Sequence, residues 1–412
     1  MKIIYNAAVA MVFCFYAEGI FAQKNPIAVY YPPKNEWQKK SPAELGFDKN
    51  RLDSAISFAV SHTTTASANL KEAHYQSGFG REPFGYLLGP MKTRGPGTGV
   101  IIKNGYVIAE WGEPLRVDFT FSVAKSFLSV LTGITADSGM IQPEDFVYKT
   151  MAPIIPAYNN VPDLNMAENI NEEDVFDLFA TTHNRKITWE HLLRQTSDWE
   201  GSLWGKPDWA DRPSANSKEW LNRKKMEPGT VFEYNDTRVN VLALALLNIW
   251  RKPLPAVLKE KLMDPIDASP TWRWLGYHNS WVVMDGQNIQ SVSGGSHWGG
   301  GMMINAYDQA RFGYLTLRNG KWKNKPLVSP DWLKKSRTPG PANKGYGYMN
   351  FYLNEDQKMI PAAPKTAFMH VGAGSNIIYV DQQNDLVVVA RWIEYDAIPI
   401  FIELVLKAAA SN

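Results

Sequence analysis

The stretch FSVAKSFLSVLTGITA, residues 121–136, decides how the rest of the chain is read. It is apolar nearly all round, the pattern of a helix buried inside a fold rather than laid on its surface. Near its start stand Ser122 and Lys125. A spacing of three puts the lysine one turn beyond the serine on the same helix face. The helix start adds free backbone N–H groups and the positive end of the peptide dipoles beside the hydroxyl. A serine hydroxyl is a weak nucleophile that needs an adjacent base, and a desolvated lysine can serve. About one S-x-x-K is expected by chance in a chain of this size. This chain has only this one, so its setting at the head of an apolar helix carries the weight.

Upstream, two short apolar runs at 99–103 and 106–111 flank Asn104-Gly105, the strongest local hairpin signal. Before them residues 64–98 are turn-rich, 48–62 carry Leu52, Ile56 and Ala59 at helical spacing, and 23–43 read as an extended entry segment. Downstream, about 142–295 is helical and loop-like with few convincing strands; helices are expected at 189–194 and 236–250. After Gly299-Gly300-Gly301 the pattern changes again. A helix starts at Asn305, and Ser329-Pro330 looks like an N-cap with proline at the first helical position. Short apolar or alternating runs follow at 346–353, 368–371, 376–380 and 386–391, and an apolar helix closes the chain at 399–409. The layout implies an α+β fold, an antiparallel sheet flanked by helices with a mainly helical domain inserted. The expected boundaries are 23–141 with 300–412 for the sheet domain and 142–299 for the insertion.

The 412 residues are 45% hydrophobic, enough for a large core. Lys and Arg number 43 against 41 Asp and Glu, without a long run of like charge, so no nucleic-acid surface is expected. Residues 1–22 read as a signal peptide, with Lys2 at the positive end, an apolar stretch, and cleavage after Ala22. Glu18 interrupts that stretch, so no stable membrane insertion is expected, and the place is periplasmic or secreted. Cys14 is the only cysteine, which leaves the mature chain without a disulfide. No G-x-S-x-G elbow, H-E-x-x-H, phosphate-binding loop or dinucleotide fingerprint occurs, and the seven histidines lack ligand spacing. No cofactor and no metal are implied.

Two further motifs stand in order behind Ser122 and Lys125: Tyr234-Asn235-Asp236 just before an apolar helix, and His370-Val371-Gly372-Ala373 on a strand near the C-terminus. With ITWEHLLRQTS (187–197) and GGGMMINAYDQARFG (299–313), this order resembles the β-lactamase-related serine hydrolases from about residue 45 to the end. That family includes class C β-lactamases, D-alanyl-D-alanine carboxypeptidases, D-aminopeptidases, family VIII esterases and aminohexanoate-oligomer hydrolases. The resemblance implies a β-lactamase/transpeptidase-like fold in which Ser122 is acylated, Lys125 takes its proton and Tyr234 shares in proton transfer. It also implies an oxyanion hole from the backbone N–H groups of Ser122 and Ala373, with Gly372 letting substrate lie close along the strand.

The departures bear on substrate. Asp236 stands where the family usually has Asn. A carboxylate there favours the charged form of Lys125, faces a cationic group on the substrate, or only bonds within its loop. His370 replaces the lysine of Lys-Thr-Gly, which argues against penicillins as main substrate and makes His370 a candidate substrate contact. His297, in a glycine-rich stretch, is a candidate cleft residue. Trp199, with Trp204 and Trp209, reads either as a substrate platform or as loop packing. The first reading is a serine hydrolase cleaving an ester or amide of a small molecule or peptide. A cell-wall D-amino acid peptidase or β-lactamase is the alternative within the class, and a non-catalytic penicillin-binding-like module the alternative outside it.

Overall fold

The computed structural model describes residues 29–157 and 175–409, so the signal-peptide reading of 1–22 lies outside the described residues. In chain order the strands are β1 (Thr98–Lys103), β2 (Tyr106–Trp111), β3 (Asp118–Phe119), β4 (Ser202–Leu203), β5 (Lys206–Pro207), β6 (Arg273–Met284), β7 (Gln287–Val292), β8 (Gly301–Ile304), β9 (Lys321–Trp322), β10 (Lys325–Pro326), β11 (Tyr352–Leu353), β12 (Phe368–Gly372), β13 (Asn376–Asp381) and β14 (Leu386–Arg391). The α-helices are α1 (Lys49–Ser61), α2 (Leu70–Gln76), α3 (Val123–Asp137), α4 (Trp189–Leu193), α5 (Lys218–Asn222), α6 (Asp236–Trp250), α7 (Leu254–Leu258), α8 (Ala306–Leu317), α9 (Pro330–Ser336) and α10 (Ile398–Ala409).

Asn104 and Gly105 take φ of 53° and 86° and turn β1 back on β2, as the dipeptide predicts. The resulting hairpin pairs with the last strand of the chain, Thr98 opposite Arg391 and Lys103 opposite Leu386. An antiparallel sheet of order β11-β12-β13-β14-β1-β2 is thereby closed from the two ends of the sequence. Both its faces are covered, which explains why β14 is apolar at every position but its last instead of alternating. Leu386, Val388 and Ala390 pack with Leu52, Ala55 and Phe401 beneath α1 and α10. Val387 and Val389 point the other way, into the core that holds Phe127 of α3 and Phe312 of α8, whose rings stack at 3.9 Å. The helix expected over residues 122–136 is α3, buried from Val123 to Thr135.

Three stretches differ from their sequence reading. The turn-rich 64–98 holds α2, started by Asn69, whose side chain accepts from the N–H groups of Lys71 and Glu72. The strand expected across 346–353 shrinks to β11, because Met349 and Asn350 take φ of 24° and 67°. The segment 142–299 holds a long hairpin, β6 with β7, turned at Asp285-Gly286 and joined to β8 and β3 in a second sheet. Its register shifts between Gly276 and Trp281, which hides the two-residue period from a sequence reading. Among the described residues no single helix is long and apolar enough to cross a membrane.

Candidate active site

Helix α3 begins directly behind β3, and its first turn opens into a cleft of about 800 Å³. Phe121 enters that turn with φ 47°, a left-handed conformation unusual for a bulky residue and frequent where a backbone is held for function. Ser122 is the N-cap, but its side chain makes no capping hydrogen bond. Its Oγ accepts instead from Lys125 Nζ at 2.8 Å. Lys125 is fully buried and donates a second hydrogen bond, 2.7 Å long, to Asp236 Oδ1.

Asp236 is the first residue of α6, placed there by Asn235, whose side chain caps the helix by accepting from the N–H of Arg238. Tyr234 precedes the cap and lines the cleft, with its ring 4.7 Å from the Lys125 ammonium. Gly295 closes the group from the loop between β7 and β8. A Cβ at Gly295 would overlap both Asp236 Oδ1 and Lys125 Nζ, so glycine there is a condition for the ion pair.

Burial drives the Lys125 ammonium toward its neutral form, and Asp236 opposes that without reversing it. Burial also pushes the Asp236 carboxyl up, but Lys125, then Arg212 and His297, outweigh it and hold the pKa at about 2. The Tyr234 phenol is raised by burial and next by the Asp236 charge, so it stays protonated. The site therefore pairs a buried amine with a phenol that keeps its proton, an arrangement suited to one acceptor and one donor.

Around this pair lies a charged shell that sequence reasoning missed. Arg212 Nη1 donates to Asp211 Oδ1 and, at 3.3 Å, to Asp236 Oδ2. Its guanidinium sits over the rings of Tyr234 and Phe79, at 4.9 and 5.1 Å. Glu82 reaches in from the turn-rich segment, 2.7 Å from His297 Nε2. Glu82, Asp211 and His297 each bring one ligand atom within 4.8 Å of one another, the spacing of a small metal site. Arg212, bonded to Asp211, already supplies a cation there, so the geometry favours an ionic network over a metal centre. Asp211-Arg212 was visible in sequence only as one charged pair among many.

Of the residues singled out in sequence, Ser122, Tyr234, Asp236, His297, Gly372 and Ala373 all line the cleft. A Cβ at Gly372 would overlap the Thr120 carbonyl and come within 3.1 Å of the Ser122 backbone nitrogen. The end of β12 thus lies against the backbone amide of Ser122. His297 is buried between the rings of Phe79 and Trp298, at 4.4 and 4.5 Å.

Two expectations are corrected. His370 is not a substrate contact in this structure: it is completely buried among Phe312, Phe351 and Phe368, and burial lowers its pKa to about 3. The two-residue period of β12 turns it beneath the helices, while the cleft is lined from Val371 onward. Trp199 is not a platform either. It is 1% exposed, belongs to the main core, and donates from Nε1 to the Leu178 carbonyl at 2.7 Å. Trp199 packs the loop onto the core and Trp204 is buried likewise, whereas Trp209 is half-buried and stacks on Trp220.

The Beta-lactamase family model matches residues 92–391, which spans both sheets and every residue of the Ser122–Lys125–Asp236 arrangement. The chain belongs to the Beta-lactamase family. Its fold is that of solved members of this group, a family in which serine-hydrolase chemistry is the general rule. A candidate beta-lactamase from Bacteroides dorei DSM 17855 is 16% identical, with a TM-score of 0.53 over 88% of this chain and 99% of that one. EstCE1, described as a hydrolase with promiscuous acyltransferase activity, is 15% identical, with a TM-score of 0.53 over 87% and 97%. A structure described as SurE with D-Leu is 14% identical, with a TM-score of 0.51 over 88% and 76%. No curated protein matches the chain.

Asp236 lends itself to a direct test within this family member. Removing its charge takes away the group that favours protonated Lys125, so Asp236→Asn is expected to move the acidic limb of the kcat/KM profile to lower pH. Stability has its own sign. A carboxyl held at about 2 when folded, against roughly 3.9 unfolded, contributes stability that is complete above pH ~4 and lost as pH falls toward 2. Acid unfolding followed by circular dichroism should show that loss in the wild type and not in Asp236→Asn. Superimposable profiles would remove Asp236 from both roles.

Proposed function

We propose that this protein is an exported serine hydrolase that cleaves an ester or amide through an acyl-enzyme on Ser122. The observation that carries the reading is the fully buried Lys125 amine, 2.8 Å from Ser122 Oγ and anchored on its far side by Asp236. In its neutral form Lys125 takes the Ser122 proton as Oγ attacks the carbonyl carbon. The ammonium so formed is met by Asp236 at 2.7 Å, so the carboxylate is matched to charge that develops during the reaction. The developing oxyanion lies between the N–H groups of Ser122 and Ala373. Tyr234, kept protonated, donates to the leaving alcohol or amine as the carbonyl re-forms. Water then attacks the acyl-enzyme and gives its proton to the Tyr234 phenolate, while the Lys125 ammonium returns a proton to Ser122 Oγ as the acid departs.

Its bonds to Lys125 and Arg212 support a role for Asp236, where the family usually has Asn, in holding the base after proton transfer rather than in meeting a substrate cation. EstCE1, described as a hydrolase with promiscuous acyltransferase activity, shares this fold, which is in keeping with acyl transfer at Ser122. The test is the time course of p-nitrophenyl acetate hydrolysis by the mature protein. A burst of nitrophenol close to one equivalent, ahead of a slower steady state, is the expected result where deacylation limits turnover. Absence of both burst and turnover, together with failure of a fluorophosphonate to label Ser122, would favour the non-catalytic module.

A further inference from the structure

Beside the cleft lies a second, apolar cavity of about 200 Å³. Its walls are Leu70 and Ala73 of α2, Met91, Phe79, Phe121 and Trp392. It shares Phe79, Phe121, His297, Ala373 and Gly374 with the catalytic cleft, so the two spaces meet at the residue before the nucleophile, at His297 and at the end of β12. Leu70, Phe119 and Trp392, with Met91 and Phe121 against them, form an apolar cluster separate from the two large cores. Two of its aromatic residues are held in left-handed backbone conformations, Phe121 at φ 47° and Trp392 at φ 62°, with their rings edge to face at 6.2 Å. Such strain persists where the surroundings fix it and is common at ligand clamps. Most of the polar groups nearby are engaged: Arg94 lies over the Trp392 ring and donates to the Thr64, Ala66 and Gly95 carbonyls, His74 Nε2 pairs with the Gly85 carbonyl and His297 Nε2 with Glu82, while Arg94 Nε and His297 Nδ1 make no hydrogen bond.

Resting on the reading of Ser122 as nucleophile, we propose that this cavity receives the acyl group of the substrate and selects for an apolar one, aromatic or about six carbons long. The leaving group must lie near its proton donors, and neither Tyr234 nor Lys125 lines this cavity. The other substituent of the carbonyl carbon is then directed past the oxyanion donors, toward Phe121 and Gly374. Size fits as well, since an apolar cavity of roughly 150 Å³ holds benzene.

The test compares p-nitrophenyl acetate, hexanoate and phenylacetate on wild type, Ala73→Phe, which fills the cavity, and Met91→Ala, which enlarges it. Wild type is expected to favour phenylacetate over acetate in kcat/KM, and Ala73→Phe to cut that ratio by about tenfold or more, the scale of a methylene's contact in a pocket. Met91→Ala should move the preference toward longer chains. Ratios that stay the same in both variants, with fluorophosphonate still labelling Ser122, overturn the cavity proposal and leave the nucleophile standing. If no ester is hydrolysed at all, fluorophosphonate labelling judges the reading of Ser122, and a crystal soaked with phenylacetate decides the cavity by itself. A ring between Leu70, Met91 and Trp392 supports it; an empty cavity overturns it.

Discussion

Ser122→Ala is expected to lower kcat on p-nitrophenyl acetate by roughly four to six orders of magnitude, the range seen when a hydrolase loses the nucleophile of a cooperating set. The size follows from the geometry. Ser122 Oγ spends no hydrogen bond on capping α3 and accepts one from Lys125 Nζ at 2.8 Å. Among the described residues, Ser122 is the hydroxyl to which that amine donates, its other bond going to Asp236. Because the serine contributes little packing, the variant should unfold at the wild-type temperature, and a calorimetric scan beside the kinetics separates lost chemistry from lost fold. Retention of more than a hundredth of the activity would place the reaction on another residue.

Lys125→Met should cost about a thousandfold in kcat, within the usual range for a positioned general base, and it should also destabilise the protein. Methionine matches the volume but leaves the Asp236 carboxylate, 1% exposed, without its principal partner. Breaking one side of a buried pair costs about 3–5 kcal/mol, whereas replacing both sides is often near neutral. The double variant Lys125→Met with Asp236→Asn is therefore expected to regain most of the stability and none of the activity. Arg212 moderates the loss, since its guanidinium still faces Asp236 Oδ2 at 3.3 Å. Denaturant midpoints of the two variants and wild type check the first half, and initial rates the second.

The parts of this site legible in sequence are those fixed by local spacing. Ser122 and Lys125 share a helix face because three residues separate them, and Tyr234, Asn235 and Asp236 announce themselves as the cap of an apolar helix. The early hairpin and the strands at 376–381 and 386–391 were equally plain, because Asn104-Gly105 and unbroken apolar runs are local signals too. What escaped was set by distance. Glu82, Asp211 and Gly295 come from three separate segments and meet only once both sheets are formed, so nothing around each of them marks it. His370 failed for a different reason. The strand was right, but which side of it faces the cleft depends on where α3 and α8 lie, and that is tertiary information. Trp199 shows the weakness of reading composition alone: an aromatic in a turn-rich stretch packs as readily as it binds.

Activation of Ser122 as a nucleophile by Lys125 can be read from intact-mass spectrometry after exposure to a fluorophosphonate, with the adduct mapped by peptide digestion. One adduct per chain on the peptide carrying Ser122, formed at least a hundredfold more slowly in Lys125→Met, is expected. An unmodified chain, an adduct on another residue, or equal labelling rates in both proteins would contradict it.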